Sequence, residues 1–188
     1  MNSLRGIFLM VAALIVAVTT FTDTIDIGPK VGAKIPAPFA ARDQTDAAKA
    51  FADITGSRGV VIAFVRSAKW CPYCQAQLKD LQTIAAPLAE RGYPLVSLSY
   101  DRPGTLAGFA EKTGITYTML SDKGSVIIDA FDIRDPQYKE GSFAYGVPKP
   151  VIFIVDKSGV VRAKLAEDGY KTRPQIASIV AAVDNLPK

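Results

Sequence analysis

At 188 residues, about half of them apolar and a fifth charged, the chain is long enough for one domain with a sizeable core. Its net charge of +4 comes from 22 Lys and Arg scattered among 18 Asp and Glu. No basic arm is formed, so the charge gives no ground for a nucleic-acid partner. There is no histidine, which excludes Ser-His-Asp and Cys-His catalysis.

The first element is apolar. Arg5 is followed by twelve apolar residues, Ile7 to Val18, in "IFLMVAALIVAV". A spanning helix needs about twenty such residues, and counting on to Phe21 gives fifteen. A basic start and a run of this length predict an export signal. Ala17-Val18-Thr19 is a poor cleavage site, so residues 1–21 read as a signal peptide or an N-terminal anchor, with membrane association through 7–21. The expected location is periplasmic or extracellular, where a cysteine pair can be oxidised.

Gly- and Pro-rich residues follow, giving a linker at 22–30 and a domain over 31–188. "AAKAFADI" (47–54) predicts a short helix. "GVVIAFV" (59–65) is a continuous apolar run, as in a strand covered on both faces. Cys74, Leu78, Leu81, Ile84 and Leu88 share one face of a helix starting at Pro72, which Pro87 should kink or end. A strand at 94–100, a helix at 103–114 closed by Gly114, a short strand at 117–121 and a short helix at 124–131 come next. After a loop, "VIFIVD" (151–156) and "VVRAKLA" (160–166) form a hairpin across "DKSG". Thr172 and Gln175 suggest a capping box before a last helix. The alternation predicts an α/β fold, with a mostly parallel central sheet, a C-terminal β-hairpin and helices on both faces.

The only two cysteines, Cys71 and Cys74, lie in "RSAKWCPYCQAQL" (66–78). A structural zinc site needs four Cys or His ligands and the chain supplies two. A c-type haem site needs His after the second Cys, but position 75 is Gln. A redox dithiol is favoured, with a structural disulfide or an intermolecular metal site as alternatives. Pro72 suits a first helical turn, which leaves Cys71 facing unpaired N–H groups and the positive end of the helix dipole. That setting favours thiolate. Lowering a thiol pKa from about 8.5 to about 6.5 raises the thiolate at pH 7 roughly 25-fold. Weaker nucleophilicity takes back roughly 8-fold, for a net gain of about 3-fold. Cys71 is therefore the expected attacking sulfur and Cys74, one turn in, the resolving one.

At these residues the chain resembles the thioredoxin-fold superfamily, and more closely the peroxiredoxin-like branch of the alkyl hydroperoxide reductase/thiol-specific antioxidant family. The matching stretches are "FVRSAKWCPYCQAQLKDLQ" (64–82), "DRPGTLAGFAEKTGITYTMLSD" (101–122) and "GVPKPVIFIVDKSGVVR" (146–162). The resemblance implies a thioredoxin-like fold and a redox-active Cys71–Cys74 disulfide. It also implies a cis-proline facing the pair, at Pro150 rather than Pro148. Two departures stand out: Val65 replaces a buried Asp, and Phe64 and Ala68 replace the Pro and Thr of the usual peroxide cradle. Arg66 and Lys69 are cations near the thiol. Trp70 either shields it or fills the core. Asp101 is expected to cap a helix, and Asp132, Asp135, Glu167 and Asp168 to be solvated loop charges.

The leading expectation is an extracytoplasmic thiol–disulfide oxidoreductase. Cys71 and Cys74 would be catalytic, with Trp70, Pro150 and Arg66 contacting substrate and no metal or cofactor. The alternatives are a thiol-dependent peroxidase and a non-catalytic redox-sensing module. The substrate would be a protein or small-molecule disulfide, or a peroxide, and a separate thiol reductant would complete the cycle.

Overall fold

The apolar run Gly59–Phe64 forms strand β3, and all of its residues are buried. A computed structural model describes residues 27–187. The export segment, residues 1–21, and the linker up to residue 26 lie outside them. No described helix is long and apolar enough to cross a membrane. In chain order the other elements are β1 (Ala40–Asp43), β2 (Ala48–Ala50), α1 (Phe51–Ile54), then after β3, α2 (Pro72–Glu90), β4 (Leu95–Ser99), α3 (Pro103–Thr113), β5 (Thr118–Ser121), α4 (Val126–Ala130), β6 (Val151–Asp156), β7 (Val161–Leu165) and α5 (Ile176–Asp184).

The seven strands form one sheet in the order β2-β1-β5-β4-β3-β6-β7. Only β3/β4 and β4/β5 are parallel. The pairs β1/β2, β1/β5, β3/β6 and β6/β7 are antiparallel, which corrects the expectation of a mostly parallel sheet. A parallel step needs a crossover element, and α2 and α3 supply two. The irregular stretch between α4 and β6 instead returns the chain antiparallel to β3, and an N-terminal hairpin adds two more antiparallel pairs.

That hairpin overturns the helix expected over 47–54: strand β2 occupies Ala48–Ala50, and only one helical turn follows. The turn is built by Asp43, whose Oδ1 accepts from the Thr45 N–H at 2.8 Å, the Thr45 hydroxyl at 2.7 Å and the Ala47 N–H at 3.1 Å. The pairing of β1 with β5 outweighs the helix propensity of the alanines. Helix α2 runs three residues past Pro87, so the proline marks the last turn and does not itself end the helix. The capping box at Thr172 is absent: α5 starts after Gln175 with no side-chain cap.

Strand alternation divides the core between the two faces. Val61, Ala63, Ile152 and Ile154 pack with α2, α3 and α5 through Leu78, Leu81, Leu106 and Ile179. Val60, Ile62, Phe64, Val151 and Phe153 pack with α1 and α4 through Ile54, Ile127 and Ile128. The β3–β6 register pairs Phe64 with Val151, and β6–β7 pairs Ile152 with Leu165. The cysteine loop after β3, residues 149–150 and the segment leaving β7 therefore meet at one end of the sheet.

Candidate active site

Val65 to Cys71 leave β3 as an irregular loop that a buried carboxylate holds in shape. Asp101, just past β4, accepts from the Ser67 hydroxyl at 2.8 Å, the Ala68 N–H at 2.6 Å and the Ser99 hydroxyl at 3.0 Å. Burial pushes the Asp101 carboxyl above its usual range, against the lowering effect of these bonds. Asp101 is thus a loop anchor; the residue at the α3 N-cap is Arg102. Ser67 Oγ in turn accepts from the Lys69 N–H at 3.0 Å. Lys69 itself is exposed.

Cys71 is the N-cap of α2, and its Sγ accepts from the Cys74 N–H at 3.3 Å. Pro72 occupies the first helical position. Cys71 and Cys74 are disulfide-bonded, with Cα atoms 5.2 Å apart. Both are buried, at 2% and 0% exposure. The expected contrast between an accessible first thiol and a covered second is therefore small.

Two guanidinium groups stand in the site, Arg173 on Cys74 and Arg66 on the ring of Trp70, the residue before Cys71. Arg66 is 1% exposed. It lies against the rings of Tyr170 (4.2 Å), Tyr138 (5.0 Å) and Trp70 (5.4 Å), and its Nη2 donates to the Tyr138 hydroxyl. Its Nε and Nη1 are buried without a hydrogen-bond partner. Cation–π contacts of about 0.5–2 kcal/mol each offset part of the desolvation. Arg173, just before α5, donates from Nη2 to Cys74 Sγ at 3.4 Å and from Nε to Gln77 Oε1 at 2.7 Å. Burial and the charge of Arg66 push its pKa down to about 10, so it stays charged at neutral pH. Among the described residues, the ion pairs of the protein include neither arginine.

An aromatic rim surrounds this core. Trp70 Nε1 donates to the Tyr100 hydroxyl at 2.8 Å, which donates to the Phe143 carbonyl at 3.1 Å. The Trp70 and Phe143 rings meet edge-on at 5.2 Å, and Phe143 is 74% exposed. Tyr170 also joins Pro150, Lys149, Asp135, Glu167 and Asp168 in lining a cleft of about 640 Å³. Asp135 is buried, its Oδ1 taking the Gln137 N–H at 3.0 Å, so it is not the solvated charge expected. The bond before Pro150 is not cis; the cis bond among the described residues is Ala37–Pro38. A bridge between Pro148 and Arg134, and the Lys149 N–H on the Ile133 carbonyl at 2.7 Å, hold the approach to β6 extended.

The structure thus brings together Cys71, Cys74, Trp70 and Arg66, and sets Pro150 in the neighbouring cleft. It adds Arg173, Gln77, Tyr138 and Tyr170. Local sequence held no sign of Arg173, which lies 99 positions beyond Cys74.

A family model described as the AhpC/TSA family matches residues 31–164. The chain is 26% identical over 147 residues to peroxiredoxin Bcp of Escherichia coli, covering 78% of this chain and 86% of that one. The solved structure of peroxidoxin BcpB from Mycobacterium tuberculosis superimposes with a TM-score of 0.72 at 21% identity, over 85% of this chain and 99% of that one. A peroxiredoxin-like protein from Aquifex aeolicus gives 0.68 at 23% identity, over 84% and 89%.

Proposed function

Because the chain belongs to the AhpC/TSA family, we propose that this thioredoxin-like oxidoreductase is a thiol-dependent peroxidase that works through Cys71 and Cys74. The observation that carries the reading is the Cys71–Cys74 disulfide at the mouth of α2, with Arg173 on Cys74 and Arg66 on the neighbouring Trp70 ring, neither of them in an ion pair among the described residues. In the reduced protein the N-terminal end of α2 and the nearby guanidinium charge favour Cys71 as thiolate. Its sulfur attacks the terminal oxygen of a hydroperoxide. The O–O bond breaks, Cys71 becomes a sulfenic acid, and the departing alkoxide takes up a proton as alcohol. Cys74 then attacks Cys71 Sγ; the S–S bond forms and hydroxide leaves as water. An external dithiol reopens the disulfide and is itself oxidised.

The test is stopped-flow oxidation of the reduced protein by hydrogen peroxide and an alkyl hydroperoxide, set against a small thiolate of matched pKa. An excess of at least 100-fold is expected. Equality with the small thiolate rules out a peroxidase.

A second reading, thiol–disulfide exchange with protein or small-molecule disulfides, draws support from one feature. Phe64 and Ala68 are buried apolar residues where the usual cradle has Pro and Thr, so the Thr hydroxyl is missing. Turnover of a disulfide substrate at rates above those with peroxide would favour it.

Export is part of the same proposal. The basic start and apolar run of residues 5–21 are the feature behind it, and the site would then work in an oxidising compartment. Fractionation of cells expressing the full chain should recover it outside the cytoplasm, and recovery in the cytosol would refute this.

A further inference from the structure

Cys74 is fully buried, and burial alone would hold its thiol protonated. Yet it must act as a nucleophile when the disulfide closes and as a leaving group when it opens. Its sulfur has a side-chain donor, Arg173 Nη2 at 3.4 Å. That guanidinium is fixed on its other sides. Nε is held by Gln77 Oε1 at 2.7 Å, while Nη1 donates to the Tyr170 carbonyl and to the Thr172 carbonyl at 2.8 Å. Gln77 stands three residues after Cys74 on α2, so one helix face presents both the sulfur and the group that aims the guanidinium. All these acceptors are neutral, and the positive charge of Arg173 is left for the sulfur. Arg66, whose charge acts on Arg173, is also cationic; it lies over the rings of Tyr138 and Tyr170, and Tyr73 meets Tyr170 edge-on. Of the buried acids nearby, Asp101 bonds the cysteine loop through Ser67 and Ala68, and Asp135 lines the adjoining cleft with its Oδ1 accepting from the Gln137 N–H.

We propose that Arg173 is a catalytic residue of the disulfide step, holding Cys74 Sγ as a thiolate, with Gln77 as its positioning residue. In closure, that thiolate attacks Cys71 Sγ, the S–S bond forms, the S–O bond of the sulfenic acid breaks, and hydroxide takes a proton from solvent. In opening, the thiolate of an external dithiol attacks Cys71 Sγ, the Cys71–Cys74 bond breaks, and the electron pair goes to Cys74 Sγ beside Arg173. The second thiol of the reductant then releases Cys71 and leaves as a disulfide. The inference rests on Cys71–Cys74 as a redox pair: the Cys74 thiolate and the opening step stand without peroxide, whereas closure through the sulfenic acid rests also on the peroxidase reading.

The test begins in a Cys71→Ser background, where thiolate absorbance at 240 nm reports Cys74 alone. Arg173→Gln is expected to lower its ionisation constant at least tenfold, with Arg173→Lys recovering part of the loss. Gln77→Leu, which keeps the charge but frees it, should shift the constant in the same direction by less, and it serves alone if Arg173→Gln does not fold. In the chain with both cysteines, Arg173→Gln should slow disulfide closure at least tenfold more than it slows the peroxide step. Sulfenic acid trapped by dimedone would then accumulate. An unchanged Cys74 titration in the folded variants overturns the proposal. Failure of the peroxide comparison would instead remove the peroxidase reading and leave the Cys74 titration to decide this one.

Discussion

Arg66 carries a full charge into a site where three aromatic rings and one tyrosine hydroxyl are its partners. Two of its nitrogens have none. An ion buried without a counter-charge costs several kcal/mol, and replacing such a group by a well-packed apolar one is often neutral or stabilising. Arg66→Met should therefore leave the melting temperature of the oxidised protein unchanged or raise it, while slowing oxidation of Cys71 at least tenfold. Thermal melts and stopped-flow traces of the same variant check both halves. A large drop in stability would mean that Arg66 is chiefly a packing residue. The position of Arg66 near the thiol was legible in the sequence because it lies five residues before Cys71. Its cage was not, since Tyr138 and Tyr170 come from two distant loops.

Elements place these residues, and the turns between elements carry much of the precision. In the β6–β7 turn, Asp156 accepts from the Ser158 N–H and hydroxyl, the Val160 N–H and Arg162. Burial raises its pKa, but these bonds outweigh burial and leave it at about 2. A carboxylate depressed below its unfolded value of about 3.9 stabilises the fold above that value. That contribution is lost as pH falls from about 4 toward 2. Melting temperatures of the protein and of Asp156→Asn should thus differ at pH 7 and converge near pH 2; a gap that persists would contradict the assignment. The hairpin itself was legible from "DKSG" between two apolar runs. The hairpin β1–β2 was not, because its alanines read as helix until Arg42 and Asp43 are seen to pair with Leu120 and Ser121 of β5. At β3, Gly59 lets two strands approach: a Cβ there would lie 2.1 Å from the Val155 carbonyl oxygen.

For the molecule as a whole, the Cys71–Cys74 bond closes a four-residue loop. Chain entropy gives such a loop at most about 2 kcal/mol. Reduction should therefore leave the fold intact, with a far-UV spectrum unchanged and a melting temperature moved by only a few degrees. Loss of structure on reduction would show the bond to be a structural staple rather than a working redox pair. The two cores, one on each face of the sheet, carry the stability instead. The sequence by itself determined the layered α/β class, the buried centre strand, the apolar face of α2 and the placing of two thiols at a helix start. Each of these follows from local period, from proline and glycine stereochemistry, or from adjacency along the chain. Tertiary structure alone decided strand direction at the sheet edges, the trans bond before Pro150, the anchoring role of Asp101 and the meeting of Arg173 with Cys74. Those depend on where distant segments return in space, and the registers of β3 with β6 and of β6 with β7 set that return.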